Sequence, residues 1–130
     1  MPHPSSYFGC QVLVVDDDQM SGELAKLRLA KLGLHITCAH DGNEAVALLK
    51  TQKFDLILMD IQMPNLDGVQ ATRKIRQLPN GFDVPILATT GGPSAQQRAH
   101  CLDAGMTDFI GKPFVESELL EAVLMWINPT

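Results

Sequence analysis

At 130 residues, 45% of them hydrophobic and 19% charged, the chain suits one domain with one core, and its charges are too few for a disordered segment. A formal charge of −5 without any basic run gives no electrostatic footprint for nucleic acid or an anionic lipid surface. No apolar run reaches the length of a membrane span, so membrane insertion is not expected.

The stretch Met1 to Ser6 has neither a basic region nor an apolar core, so residues 1–9 are read as a flexible arm and residues 10–128 as the folded domain. Gln11-Val12-Leu13-Val14-Val15 is short, β-branched and apolar throughout, the pattern of a strand buried on both faces. It ends in Asp16-Asp17-Asp18, of which Asp18 is read as a helix N-cap. Met20, Leu24, Leu27 and Ala30 then recur at helical spacing and are expected to form the buried stripe of a helix closed by Gly33. His35 to Ala39 reads as a weaker strand. Asp41 with Glu44 three residues on predicts a capping box, followed by the apolar stripe Ala45, Leu48 and Leu49.

Leu56-Ile57-Leu58-Met59 is the clearest buried strand and stops at Asp60. A loop over residues 61–66 leads to a helix starting near Asp67, with Ala71, Ile75 and Leu78 on one face. Pro85 to Thr89 predicts a fourth strand, proline being tolerated at a strand's first residue. Ser94 and Gln97 predict a second capping box, and Gly105 the end of that helix. Asp108 to Gly111 reads as a short fifth strand, and Leu119, Leu120, Val123 and Trp126 mark the last helix. Strict strand–helix alternation predicts an α/β fold with a parallel sheet covered on both faces.

Cys10, Cys38 and Cys101 are scattered and odd in number, so they suggest neither a disulfide framework nor a zinc site. They read as reduced residues in a cytoplasmic setting, two of them in the core. His3, His35, His40 and His100 show no ligand spacing.

Ligands of parallel sheets bind outside the carboxyl ends of the strands, so the strand-end residues carry the functional information. Here they are Asp16 to Asp18, Asp60, Thr90 and Lys112. Mg²⁺ favours oxygen ligands, takes one or two carboxylates and keeps several waters. Asp17 and Asp60 suit that role, with Asp16 holding a coordinated water. Three carboxylates and one ammonium leave two negative charges, which a divalent ion cancels. A carboxylate beside Mg²⁺ is also a nucleophile toward phosphorus, a reaction governed by positioning and charge neutralisation. Lys112, the Thr90 hydroxyl and the Gly91 N–H are the groups available to phosphoryl oxygens.

Val14-Val15-Asp16-Asp17, the run from Leu58 through Met59-Asp60-Ile61-Gln62-Met63-Pro64 to Asp67-Gly68, Thr90, and Gly111-Lys112-Pro113-Phe114 resemble the receiver domains of two-component response regulators. The resemblance covers roughly Cys10 to Ile127 and implies a flavodoxin-like, doubly wound (βα)5 sheet of strand order 2-1-3-4-5. It implies phosphorylation of Asp60, with Mg²⁺ (or Mn²⁺ in its place) held directly by Asp17, Asp60 and the Gln62 backbone carbonyl, and by Asp16 through water. Lys112 matches the phosphate-pairing lysine, and the Lys112–Pro113 peptide is expected to be cis. Thr90 and Phe109 match the switch pair, the aromatic ring turning into space the hydroxyl vacates.

The implied partner is a histidine kinase or a histidine phosphotransfer domain. Output would come from the fourth helix, fifth strand and fifth helix, a face also suited to homodimerisation. The domain would catalyse only its own phosphorylation and dephosphorylation, although a parent hybrid histidine kinase would be an enzyme. The wording from Met59 to Pro64 leans toward the receivers of such hybrid kinases. Phe109 stands where tyrosine is common, so ring packing alone must carry any switch, and Gly91-Gly92 loosens the loop after Thr90. The alternative is a pseudo-receiver that binds partners without phosphorylation. A flavodoxin-type cofactor carrier is disfavoured by the aspartates after the first strand, and an aspartyl-phosphate phosphatase by Gln62 in place of a second carboxylate.

Overall fold

Runs that are apolar on both faces can be satisfied only at the centre of a sheet covered on both sides. A computed structural model, which describes residues 9–61, 67–92 and 94–127, has this arrangement. Strands β1 (Gln11–Val15), β2 (His35–Ala39), β3 (Leu56–Asp60), β4 (Ile86–Thr90) and β5 (Asp108–Gly111) are all parallel, in the order 2-1-3-4-5. Between and after them run α1 (Gln19–Ala30), α2 (Gly42–Thr51), α3 (Gly68–Arg76), α4 (Ala95–Ala104) and α5 (Glu116–Trp126). Alternation along β3 shows why both faces need cover. Ile57 and Met59 enter a core with Ala45 and Leu49 of α2, Ala71 and Ile75 of α3 and Cys101 of α4. Leu56 and Leu58 enter the opposite core with Ala25 and Leu29 of α1 and Leu119 and Val123 of α5. Full burial of each such leucine or isoleucine stabilises the fold by roughly 1.5–3 kcal/mol.

The register aligns the carboxyl ends. Val15 pairs with Met59, so Asp16 stands level with Asp60. Asp60 pairs with Thr89, and Thr90 pairs with Gly111, which brings Lys112 to the same edge. The ladder runs on into the loops through Asp16 N–H to Ala39 O (3.0 Å) and Lys112 N–H to Thr90 O (2.8 Å).

The helix ends follow the expected chemistry with one shift. Asp18 caps α1, accepting from the Met20 N–H, and Ser94 with Gln97 forms the reciprocal capping box of α4. Asp41 caps α2 by accepting from the Glu44 N–H, but the Glu44 carboxylate reaches back one residue further, to the His40 N–H at 2.6 Å. Gly105 ends α4 at φ +107°, a conformation that favours glycine.

The buried face of α1 differs from the expected one. Met20, Leu24 and Leu27 are 82%, 38% and 65% exposed and Ala30 is exposed, whereas Gly22, Ala25 and Leu29 face the sheet. Two stripes of helical period compete in this helix. The three-residue turn from Val15 and the Asp18 cap set its phase, and the small Gly22 and Ala25 let it lie close to the sheet.

Two long-range polar ties brace the far end of the sheet. The Arg76 guanidinium donates to Gly105 O from Nε (3.0 Å) and Nη2 (2.7 Å), and to Gly81 O and Val84 O from Nη1 (2.9 and 2.6 Å). The Trp126 indole N–H of α5 donates to Asp108 Oδ2 of β5 at 3.0 Å. Cys10 and Cys101 are buried and Cys38 is half-buried, all three as free thiols whose pKa burial raises.

Candidate metal centre

Each acidic side chain of the crevice is delivered by a strand end and then held by its own loop. Asp16, only 4% exposed, accepts from the Asp18 N–H at Oδ1 (2.9 Å) and from the Lys112 ammonium at Oδ2 (2.7 Å). Asp17 follows as an exposed carboxylate, and Asp18 is turned to its cap, accepting also from the Ser21 hydroxyl at 2.9 Å. Asp60, the last residue of β3 and 4% exposed, has Oδ2 at 3.3 Å from the Lys112 ammonium. One carboxylate oxygen from each of Asp16, Asp17 and Asp60 lies within 4.8 Å of the other two.

That donor set fits a hard divalent cation. Oxygens on opposite sides of one Mg²⁺ are separated by about 4.2 Å, twice the usual ligand distance. The observed span therefore suits two carboxylates on the ion and a third reaching it through water. Without an ion, each like-charge pair at about 4 Å costs on the order of 4 kcal/mol at an effective dielectric near 20. Lys112 offsets only part of this. Burial by itself would lower its pKa, but the hydrogen bonds and charges of Asp16 and Asp60 outweigh burial and raise it above the ordinary lysine value. The ammonium thus stays charged through neutral pH, and its contribution to stability is full below the ordinary lysine value and is lost as pH rises from there through the raised one.

Thr90 is buried at the end of β4, its hydroxyl oxygen accepting from the Gly92 N–H at 3.4 Å. Gly91 is exposed with open space where a side chain would stand, and Gly92 holds φ +145°. Phe109 of β5 is half-buried, with the Arg98 guanidinium 4.8 Å from its ring centroid. The Lys112–Pro113 peptide is cis. Gln62, the expected source of a backbone ligand, lies outside the described residues.

The strand-end reading missed the part played by Gly68, although Asp67-Gly68 belongs to the motif. A Cβ built on Gly68 would run into the Asp60 carbonyl oxygen and stand 2.9 Å from the Ile61 Cα, so the first turn of α3 can lie against the Asp60 backbone only without a side chain. The buried Thr72 hydroxyl, donating to Gly68 O at 2.8 Å, fixes that turn. Gly68→Ala is expected to destabilise the chain by about 1–3 kcal/mol, as overpacking does, and to displace Asp60. Urea unfolding and a Mg²⁺ titration of the variant check both effects.

Comparison with known proteins points the same way. The family model described as the response regulator receiver domain matches residues 12–124. The chain is 39% identical over 118 residues to the signal transduction histidine-protein kinase BarA of Escherichia coli (strain K12), covering 91% of this chain and 13% of BarA. It is 39% identical over 110 residues to the response regulator MprA of Mycobacterium avium (strain 104), covering 85% of this chain and 47% of MprA. It therefore spans less than half the length of these relatives. Among solved structures, the receiver domain of the sensor histidine kinase PA1611 from Pseudomonas aeruginosa PAO1 superposes with a TM-score of 0.84 at 40% identity, covering 91% of this chain and 97% of that one; it has a magnesium ion coordinated in its active site cleft. The chemotaxis protein CheY4 of Vibrio cholerae gives a TM-score of 0.88 at 28% identity, over 92% and 99% of the two chains.

Proposed function

Because this chain belongs to the response regulator receiver domain family of two-component systems, we propose that it accepts a phosphoryl group on Asp60 from a phosphohistidine of a histidine kinase or histidine phosphotransfer domain. The observation that carries this reading is the convergence of the Asp16, Asp17 and Asp60 oxygens, within 4.8 Å of one another, beside the Lys112 ammonium. Asp17, Asp60 and the Gln62 carbonyl would hold Mg²⁺ directly and Asp16 through water, the ion offsetting carboxylate and phosphoryl charge; Mn²⁺ would serve in its place. The residues do the rest. An Asp60 carboxylate oxygen forms the new bond to phosphorus as the histidine N–P bond breaks and its electron pair returns to the imidazole. Lys112 pairs with one phosphoryl oxygen, while the Thr90 hydroxyl and Gly91 N–H donate to others. Water later hydrolyses the acyl phosphate at the same site, so the domain turns over only its own modification.

A protein donor must pass the rim of this crevice, and the exposed stripe Met20, Leu24 and Leu27 begins one turn beyond Asp17. We read that apolar face of α1, rimmed by Gln19, Ser21 and Glu23, as the seat of the donor. We propose α4, β5 and α5 as the output face, also suited to a homodimer, and a cytoplasmic setting for the domain. Residues 1–9 are proposed as an arm and 10–128 as the receiver unit.

The test is incubation with acetyl phosphate and Mg²⁺ followed by intact-mass analysis. One phosphoryl adduct is expected, and none when a chelator is present from the start. An adduct that forms equally well with chelator present overturns the metal assignment. No adduct at all, with Mg²⁺ binding intact, favours a module that binds partners without phosphorylation.

A further inference from the structure

Helix α4 is held unevenly. Its buried side chains, Cys101 and Ala104, both lie in its second half, and the Arg73–Asp103 ion pair at 3.2 Å ties that half to α3. In the first half Ala95, Gln96, Arg98, Ala99 and His100 are exposed. The Ser94–Gln97 capping box there is internal to the helix. Among the described residues, Arg98 reaches the body of the domain from this half, its guanidinium lying over the Phe109 ring at 4.8 Å. Beside this contact lies an open cleft of about 320 Å³, lined by Thr90, Gly91, Gly92, Arg98, Phe109 and Gly111. Gly91 and Gly92 leave the backbone before the helix free of side-chain packing.

We propose that Arg98 is a positioning residue: by capping Phe109 it holds the first turns of α4 against β5, and movement of the ring toward Thr90 releases them. The phenylalanine lacks the hydroxyl through which a tyrosine could bond a neighbour, so the ring face is its remaining polar handle, and a guanidinium is the partner that such a face attracts. The contact makes the seating of α4 depend on where the Phe109 ring stands. When the ring turns into the cleft, the cation loses its seat, and the poorly packed half of α4 has little else to keep it in place. Coupling of this release to phosphorylation rests on the Asp60 reading above; the latch itself does not.

Amide hydrogen exchange at Ala99 and His100 tests it in the unphosphorylated chain. Arg98→Ala and Phe109→Leu are each expected to raise exchange roughly two- to fivefold, the size of one exposed cation–π contact. The double variant should exchange no faster than either single one, and Arg98→Lys should keep part of the protection. Single effects that multiply in the double variant, or no effect of Arg98→Ala, overturn the latch. In a second arm, phosphorylated wild type should exchange like Arg98→Ala, and that variant should show no further rise. Protection that survives a verified phosphoryl adduct overturns the coupling. If no adduct forms, the Asp60 reading and the coupling fail together, while the first arm still decides the latch.

Discussion

Asp60→Asn is expected to abolish phosphoryl acceptance and, in the same step, to make the metal-free chain more stable. The loss is total because an amide is no nucleophile toward phosphorus under these conditions. The gain follows from the charges. At an effective dielectric near 20, each repulsion of Asp60 with Asp16 and Asp17 costs about 3.5 kcal/mol at the 4.8 Å limit, and attraction to Lys112 at 3.3 Å returns about 5 kcal/mol. The balance favours removing the charge by about 2 kcal/mol, before counting relief from desolvating a carboxylate that is 4% exposed. Urea unfolding in chelator checks this, with the variant's midpoint expected above that of wild type. Adding Mg²⁺ should reverse the order, since an ion that binds the folded wild type stabilises it by mass action while the variant offers one carboxylate fewer. A variant less stable than wild type in chelator would mean that Lys112 already neutralises the cluster.

Arg76→Ala is expected to cost about 3–5 kcal/mol, the range for breaking a half-buried charged network, and to leave the phosphoryl chemistry of the surviving folded chain intact. Arg76 makes four hydrogen bonds to three carbonyls, Gly105 O, Gly81 O and Val84 O. Its removal strands all three at once. Gly105 also lies against the Arg76 stem, so the variant opens space under the C-terminal end of α4. Burial lowers the guanidinium pKa, opposed by Asp83, yet an arginine starts so high that the charge persists at neutral pH. Arg76→Lys should recover only a minor part, because an ammonium cannot present the planar fork that serves Gly105 O twice. Thermal unfolding measures the loss, and the acetyl phosphate adduct at low temperature shows whether the site survives. A drop below 1 kcal/mol would make the network ornamental.

The parts of this molecule written as local patterns were legible from sequence. Buried parallel strands show up as continuous apolar runs, so β1 and β3 were placed to within a residue, Asp60 proving to be the last residue of its strand. Strand ends that finish level put Asp16, Asp60, Thr90 and Lys112 at one edge, and no more than their order along the chain was needed to expect it. What escaped depends on how elements meet. The α1 stripe was assigned to the wrong side because Met20, Leu24 and Leu27 have the same period as Gly22, Ala25 and Leu29, and periodicity carries no phase relative to a sheet. Glu44 was expected to close its own cap and instead serves His40, a difference of one peptide. Arg76 and Arg98 gave no signal, since a surface-like arginine in a helix says nothing of carbonyls or rings contributed by loops and strands elsewhere. Gly68 was visible only as part of a motif; its reason, a backbone passing where a methyl would stand, is a fact of the folded molecule.

The chain holds a single tryptophan, and its indole N–H is tied to Asp108, the residue whose other carboxylate oxygen accepts from the Phe109 N–H at 2.8 Å. One side chain thus touches both the chromophore and the strand position beside the ring, so ultraviolet emission from this protein reads the β5–α5 joint without any label. Events at the opposite, acidic end of the sheet become visible in ordinary fluorescence as far as they travel down that strand or through the core against which Trp126 packs.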